Sequence, residues 1–489
     1  MKRIYFTLTI IAFIFVAISC NELEEEPKDR LAEETFFKNR GDVLAAIYAV
    51  YDPIREFGNY GTVYLLEQEA NADYGHGRGS YASISEYQGL DGTNISRVET
   101  IWAASYRAIL RANIVLDNIA KVSMDENEKK AIIAEARFLR AFMYYSLVRN
   151  WGGVPIKRSK DDSEHTPRAS VDDVYAFILE DLAIAETDLP SSQSEAGRPT
   201  KWAAKIFLAD VHLTRGNWTV ARDKAKEVID SKLYSLVPVS TVADFEKLFG
   251  PDVITSSEEI FSLKYSRSGN QGFQYLLYIH AENTSYSPGG FRTVYGLANS
   301  PLIKNWSDSD LRKEFNLYSE YIHKTTGAVV KLPTNEPYQF RKFKDPAGVS
   351  SASNGNDLPI FRYADVLLVY AEAASLAGGN PTPEAFEAVN KIRRRAYGKD
   401  INTPDPTIDL AGLGMDDFRN AVLTERAYEF MTEGKRWLDL KRLGIDKLKQ
   451  FVLEGTGKTV RDVHLLWPIP KAEIDNNDAI DVTEQNPGY

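Results

Sequence analysis

The segment "PTKWAAKIFLADVHLTRGNWTVARDKAKEVI", residues 199–229, decides how the rest of the chain is read. Small and apolar residues recur in it at helical spacing twice: Leu208, Ala209 and His212, then Ala221, Ala225 and Val228, with Gly216 between. Residues three and four apart share one face of an α-helix, so the pattern predicts two helices joined by a glycine turn. Small residues on the facing stripes let the two backbones approach closely. An isolated pair of this kind cannot bury its face, so it asks for similar neighbours.

The spacing resembles a tetratricopeptide helix pair. A second, poorer copy is "ADVLLVYAEAASLAGGNPTPEAFEAVNKIRRRA", residues 364–396, whose turn at Gly378, Gly379 and Pro381 is about two residues longer. Further stripes run through "GDVLAAIYAVYDPI" (41–54), "VETIWAASYRAILRANIVLDNIA" (98–120) and "VDDVYAFILEDLAIAETDLP" (171–190). In "KKAIIAEARFLRAFMYYSLVRNWGGVP" (129–155), Ile132, Ala136, Leu139, Met143 and Leu147 form one apolar face, and Gly152, Gly153 and Pro155 end the helix. The expected fold is mainly α, with helical pairs around 40–120 and 128–150 as degenerate members of a right-handed superhelical scaffold. Residues 233–360 break the pattern. Gly, Ser, Asn and Pro are frequent there, as in "SYSPGGFRTVYGLANSPL" (285–302), which predicts a loop-rich insertion.

The N-terminus reads as an export signal. Lys2 and Arg3 precede an apolar run, Ile4 to Ile18, that is too short to span a bilayer, which needs about 20 apolar residues. The only cysteine, Cys20, follows at once, in "AFIFVAISCNELEEEP" (12–27). A lone free thiol is a liability in an exported protein, so Cys20 is read as a lipid anchor cleaved out after residue 19. Ala17 stands where such a signal usually has Leu. The expected organisation is a signal peptide over 1–19, an acidic linker over 20–35, and one domain over 36–489 with a loop-rich part from about 236.

Charge and cysteine usage exclude several roles. The formal net charge is −11, and loss of Lys2 and Arg3 with the signal takes it to about −13. Such a chain repels phosphate backbones, so no nucleic-acid partner is expected. Without a second cysteine no disulfide is available, and the fold rests on its core. Catalytic motifs fail. "EGTGKT" (454–459) lacks the first glycine of a phosphate loop, which would fall at Val452. "YGHGRGS" (74–80) lacks a flanking strand and helix, and both stretches read as turns. The six histidines are dispersed and form no zinc-ligand pair. No cofactor is expected, and a structural Ca²⁺ is left open.

"ERAYEFMTEGKRWLDLKRLG" (425–444) and "LLWPIPKAEIDNNDAIDVTEQNPGY" (465–489) resemble the SusD/RagB family of outer-membrane lipoproteins. "EARFLRAFMYYSLVRNWGGVP" (135–155) and "PIFRYADVLLVYAEA" (359–373) resemble other segments of that family in the same order. The residues also have their own physical reading. Leu423, Ala427, Phe430, Gly434 and Trp437 fall on one helical face, and Glu425, Arg426, Glu429 and Arg436 are expected to pair as ions rather than to catalyse. Trp467, Pro468, Ile469 and Pro470 forbid a helix, so the terminus should lie extended over the helices, with Asn486, Pro487 and Gly488 as a closing turn.

The resemblance implies a SusD-like fold and a surface-exposed, lipid-anchored lid on a SusC-like TonB-dependent transporter. It implies a nutrient ligand, most often an oligosaccharide or polysaccharide, with an oligopeptide as the alternative; a cell-surface glycoside hydrolase, for which no motif stands in the chain, is the less favoured reading. Outer-membrane lipid is then a partner through Cys20. Sugar capture uses flat aromatic rings for pyranose faces and polar side chains for hydroxyls, and requires no catalyst. Two stretches have that composition. "EANADYGHGRGSYASISEYQG" (69–89) offers Asp73, Tyr74, His76, Arg78 and Tyr81, and "NQGFQYLLYIHAENTSYSPGGFRTVYG" (270–296) offers Tyr275, Tyr278, Tyr286 and Tyr295.

Overall fold

The computed structural model describes residues 36–489. The signal, the Cys20 anchor and the acidic linker therefore lie outside the described residues. The main helices are α1 (Arg40–Arg55), α2 (Val63–Ala70), α3 (Gly92–Asn118), α4 (Glu126–Trp151), α5 (Val171–Asp188) and α6 (Lys201–Thr214). They continue with α7 (Trp218–Asp230), α8 (Tyr363–Gly378), α9 (Pro383–Ala396), α10 (Met415–Glu429), α11 (Arg436–Lys441) and α12 (Ile445–Thr456).

Their ends follow from the sequence. Asn39, Asp91, Asp125 and Ser170 each accept backbone N–H bonds in the first turn of α1, α3, α4 and α5, satisfying donors that a helix start leaves open. Gly152, at φ +76, ends α4 while its N–H still reaches Val148. The pairs are α1 with α3, α4 with α5, α6 with α7, and α8 with α9. Successive pairs touch through α3 and α4, α5 and α6, and α7 and α8, which builds the array that one repeat demanded. Two details differ from the expectation. The partner of α4 is α5, and α4 is buried on nearly every side rather than along one stripe, because α1, α3 and α5 all pack on it.

The insertion leaves and rejoins the array between α7 and α8. Eight short strands stand in or against it, β1 (Gly75–Gly77), β2 (Glu259–Leu263), β3 (Val294–Gly296), β4 (Leu317–Tyr318), β5 (Glu320–Ile322), β6 (Val329–Lys331), β7 (Gln339–Phe340) and β8 (Leu358–Arg362). They form antiparallel pairs β1–β3, β2–β8, β4–β7 and β5–β6. The β2–β8 ladder closes the neck of the excursion, and β8 runs straight into α8. One apolar cluster extends from Val43 on α1 to Ile469 near the terminus, so scaffold and insertion share a core.

A buried ion network locks that neck. Arg362 Nη1 lies 2.8 Å from Glu258 and 2.6 Å from Glu429, and its Nη2 lies 2.9 Å from Glu433. Arg395 binds the same Glu258 and Glu429, and Arg312 binds Asp310, Glu425 and Glu429. Glu425, Arg426, Glu429 and Arg436 thus form ion pairs, but not with one another along one helix: Glu425, Glu429 and Arg436 meet partners far off in sequence, and Arg426 meets Asp439 on α11. The helical face drawn through Leu423, Ala427, Phe430, Gly434 and Trp437 is interrupted. α10 stops at Glu429, and Gly434, at φ +71, turns the chain where a Cβ would meet Leu65 Cδ2 at 2.8 Å.

The terminus lies over the helices as expected. Trp467 meets Trp151 edge to face at 4.8 Å, the Trp151 indole N–H donates to Pro468 O, and the Asn486 amide donates to the carbonyls of Trp151 and Trp467. "EGTGKT" is the end of α12, closed by Gly457 at φ +71, so no phosphate cradle forms there.

Candidate functional site

The two stretches chosen by composition meet in space. β1 pairs with β3 in the register Gly75 to Gly296, His76 to Tyr295 and Gly77 to Val294. The stretch read as a turn is therefore a strand, and its glycines have a steric reason. A Cβ on Gly75 would stand 2.7 Å from Glu69 O, and one on Gly77 would stand 2.4 Å from Tyr81 O.

Around this ladder the side chains divide into interior and surface groups. Asp73, Tyr74 and Tyr275 belong to the interior, which corrects their reading as ligand contacts. Asp73 is 2% exposed and takes two bonds from the Arg436 guanidinium, at 2.8 and 2.6 Å. Tyr74 is fully buried and donates its hydroxyl to Glu69. Tyr275 is fully buried against Phe273 and Phe343. Tyr81 is almost buried, with the Arg97 guanidinium 3.6 Å above its ring centre. Tyr286 stands half-buried in a separate ring cluster with His280 and Tyr318.

At the surface, Tyr278 is flanked by two phenylalanines. Its ring centre lies 5.6 Å from Phe57 and 5.2 Å from Phe291, and all three rings reach solvent, Phe57 at 40% and Phe291 at 58% exposure. Solvent-reaching rings in contact with one another, unlike singly scattered apolar residues, mark a candidate binding face. Backbone bonds hold the row: Phe291 N–H donates to Leu277 O, and Thr293 N–H donates to Tyr278 O. Arg292 sits at φ +52, a left-handed conformation that costs a side-chain-bearing residue about 1 kcal/mol and that accompanies the outward Phe291.

Polar groups border the row. Arg78 Nε lies 3.0 Å from Glu336, its Nη1 donates to Phe291 O at 3.3 Å, and Arg292 binds the same Glu336. His76 lies 5.3 Å from the Tyr295 ring and 2.9 Å from Glu86, whose carboxyl is held below its ordinary range by bonds from Lys458 and His76. The arrangement offers stacking faces plus charged and neutral hydrogen-bonding groups, and no paired nucleophile and base. Among the described residues no group of three or more His, Cys, Asp or Glu is gathered as a metal site would need. No helix there is long and apolar enough to cross a membrane.

Sequence reasoning selected His76, Arg78, Tyr278 and Tyr295 on this face and missed Phe57, Phe291, Arg97 and Glu336. Phe291 carried a signal, an aromatic placed directly after Gly289 and Gly290, where a loop turns outward. Arg97 carried none, since it lies on α3 outside both chosen stretches.

Comparison with known proteins places these features. Residues 304–489 match the model of the SusD family, and residues 23–213 match a family model described as starch-binding, associating with outer membrane. The SusD-like protein P2 of Formosa agariphila is 30% identical over the full length of both chains. The starch-binding protein SusD of Bacteroides thetaiotaomicron is 29% identical, over 80% of this chain and 79% of its own. Among solved structures, a SusD homologue from Bacteroides thetaiotaomicron superposes with a TM-score of 0.79 at 23% identity, covering 94% of this chain and 98% of its own. A laminarin-binding SusD-like protein superposes at 0.73 and 24% identity, covering 93% of this chain and all of its own.

Proposed function

The chain belongs to the SusD family, and from that premise we propose that it captures a glycan on the Phe57–Tyr278–Phe291 row and hands it to a SusC-like TonB-dependent transporter. In this reading it works at the outer membrane, on the cell-surface face, tethered by lipid on Cys20, and it binds its ligand without altering it. The observation that carries the reading is the row itself. The Tyr278 ring, in contact with Phe57 on one side and Phe291 on the other, presents with them apolar faces beside the hydrogen-bonding groups of Arg78, Arg292 and Glu336, as pyranose recognition requires. The starch-binding and laminarin-binding relatives support a sugar as the ligand class.

The test is retardation of the purified protein in gels cast with candidate polysaccharides, with Kd values by calorimetry on oligosaccharides. Replacing Phe291 or Tyr278 by Ala removes one stacking face, worth about 1.5 kcal/mol or roughly tenfold in Kd. Unchanged retardation in both variants would move the site elsewhere, and release of reducing ends on incubation would turn the reading toward hydrolysis. Cys20→Ser should leave the folded protein in the soluble fraction, and its retention at the membrane would remove the lipid from the account.

A further inference from the structure

Resting on that reading of the row, we propose that the glycan it takes is anionic, carrying uronate carboxylates or sulfate esters that seat against Arg97, Arg78 and Arg292. The charge balance of the face carries this. Arg78 and Arg292 share a single carboxylate, Glu336. Arg97 has no carboxylate within 4 Å among the described residues. Its Nη2 donates to Ser80 Oγ at 2.7 Å, its Nη1 to Asn94 Oδ1, and its plane is stacked on Tyr81. Two guanidinium groups share one carboxylate and the third, Arg97, which acts on Tyr278, touches none, a positive excess beside an aromatic row on a chain whose formal net charge is −11.

The neighbouring acids cancel only part of that excess. Glu56 pairs with Arg107, Asp52 lies 3.5 Å from Arg111, and Glu86 pairs with Lys458 and His76. Asp91, the cap of α3, accepts from Asn94 N–H and the Ser83 hydroxyl and keeps its charge, which offsets part of Arg97's without touching it. Glu67, the acid nearest in influence to both Arg97 and Tyr81, is fully buried with both oxygens unpartnered, and burial pushes it up to about 8, so it is protonated at pH 7. Arg97 is therefore pre-oriented by the Ser80 and Asn94 bonds and the Tyr81 ring, with no carboxylate in contact and, among the described residues, no acceptor for its Nε–H. That is the disposition of a guanidinium that meets an oxyanion from outside, where planar donor pairs bind carboxylate or sulfate oxygens.

The experiment compares four polymers by affinity gel and calorimetry: dextran, dextran sulfate, polygalacturonate, and polyglutamate as a polyanion without sugar rings, with a glycan array alongside. The expected result is binding to an acidic glycan at least tenfold tighter than to any neutral one, weakened about tenfold between 50 and 500 mM NaCl as exposed ion pairs are screened. Dextran sulfate against polygalacturonate separates sulfate ester from uronate. Arg97→Gln should weaken the acidic ligand about fivefold with an unchanged Tm, while Arg97→Lys, which keeps the charge but loses the planar donor pair and the Tyr81 stacking, should fall between Gln and the wild type. Neutral glycans binding as tightly as acidic ones, with Phe291→Ala still weakening them, overturns the anion and leaves the row. Polyglutamate binding as tightly as any glycan overturns the sugar-specific claim. No binding to any glycan, with Phe291→Ala without effect, overturns the row itself.

Discussion

The Arg436 guanidinium closes on the Asp73 carboxylate at 2.6 Å across 363 residues of sequence, and both side chains are buried. The pair ties the segment leading into β1 to the start of α11. Removing one member leaves a buried charge unpaired, which costs about 3–5 kcal/mol. Asp73→Asn should therefore lower the free energy of urea unfolding by that amount while the folded fraction binds glycan normally. Loss of binding at unchanged stability would return Asp73 to the ligand site.

The network at the neck of the insertion predicts an acid limit. Burial alone would raise Glu433, but Arg362, Lys342 and Lys435 outweigh it and hold the carboxyl at about 2. A group depressed in the folded state contributes stability that is complete above its unfolded value, near 4.5, and is lost as pH falls toward 2. Between those pH values Glu433→Gln should lose stability less steeply than the wild type, although it starts lower at pH 7 because Arg362 and Lys342 are left short of a partner. Glu429, also held well below its ordinary range, keeps part of the slope in the variant. Parallel slopes in chemical denaturation from pH 5 to 2.5 would count against the assignment.

Glu67 predicts the opposite window. Burial raises it to about 8, Arg97 lowers it in part, and Asp91 raises it further. A group raised in the folded state contributes stability that is complete below its unfolded value, near 4.5, and is lost as pH rises through 8. Glu67→Gln keeps the shape of the protonated acid and removes the titration. The variant should match the wild type near pH 5 and exceed it at pH 8.5 in urea midpoint, and equal midpoints at pH 8.5 would show that the carboxyl ionises without cost.

The scaffold was legible because long helices repeat their signal many times. Ile132, Ala136, Leu139, Met143 and Leu147 each report the same face, and all five are buried. Short-range chemistry gave the end of α4 in the same way, through Gly152. The site was legible only in composition. β1 and β3 are three residues each, too short for an alternation to register, and their pairing joins regions far apart in the chain. Aromatic count did not separate Tyr74 and Tyr275, which are interior, from Tyr278, which is at the surface, since burial is decided by the elements that pack above each ring. Buried charges were misread for a related reason. Asp73 looks like a loop acid until Arg436 is brought to it by α11.

The β1–β3 ladder is also the point where fold and binding can be separated by one methyl group. A Cβ on Gly77 would fall 2.4 Å from Tyr81 O and 2.8 Å from Tyr81 Cβ, closer than real contacts allow, and the nearest atom is backbone, which cannot rotate away. The strain must be relieved by moving residues 77–81 off β3. That displaces Arg78 from Phe291 O and Glu336, and shifts the Tyr81 ring on which Arg97 lies. The helix pairs are anchored elsewhere, through the core that runs from α1 to the terminus. Gly77→Ala should therefore keep the circular dichroism of the helices and lose at most about 2 kcal/mol of stability, while weakening glycan binding at least as much as Phe291→Ala does. Gly412→Ala, a glycine at φ +67 with open space around it, is the control for glycine loss without a steric clash, and it should leave binding untouched. Equal binding by the two variants would mean that the ladder does not position the site.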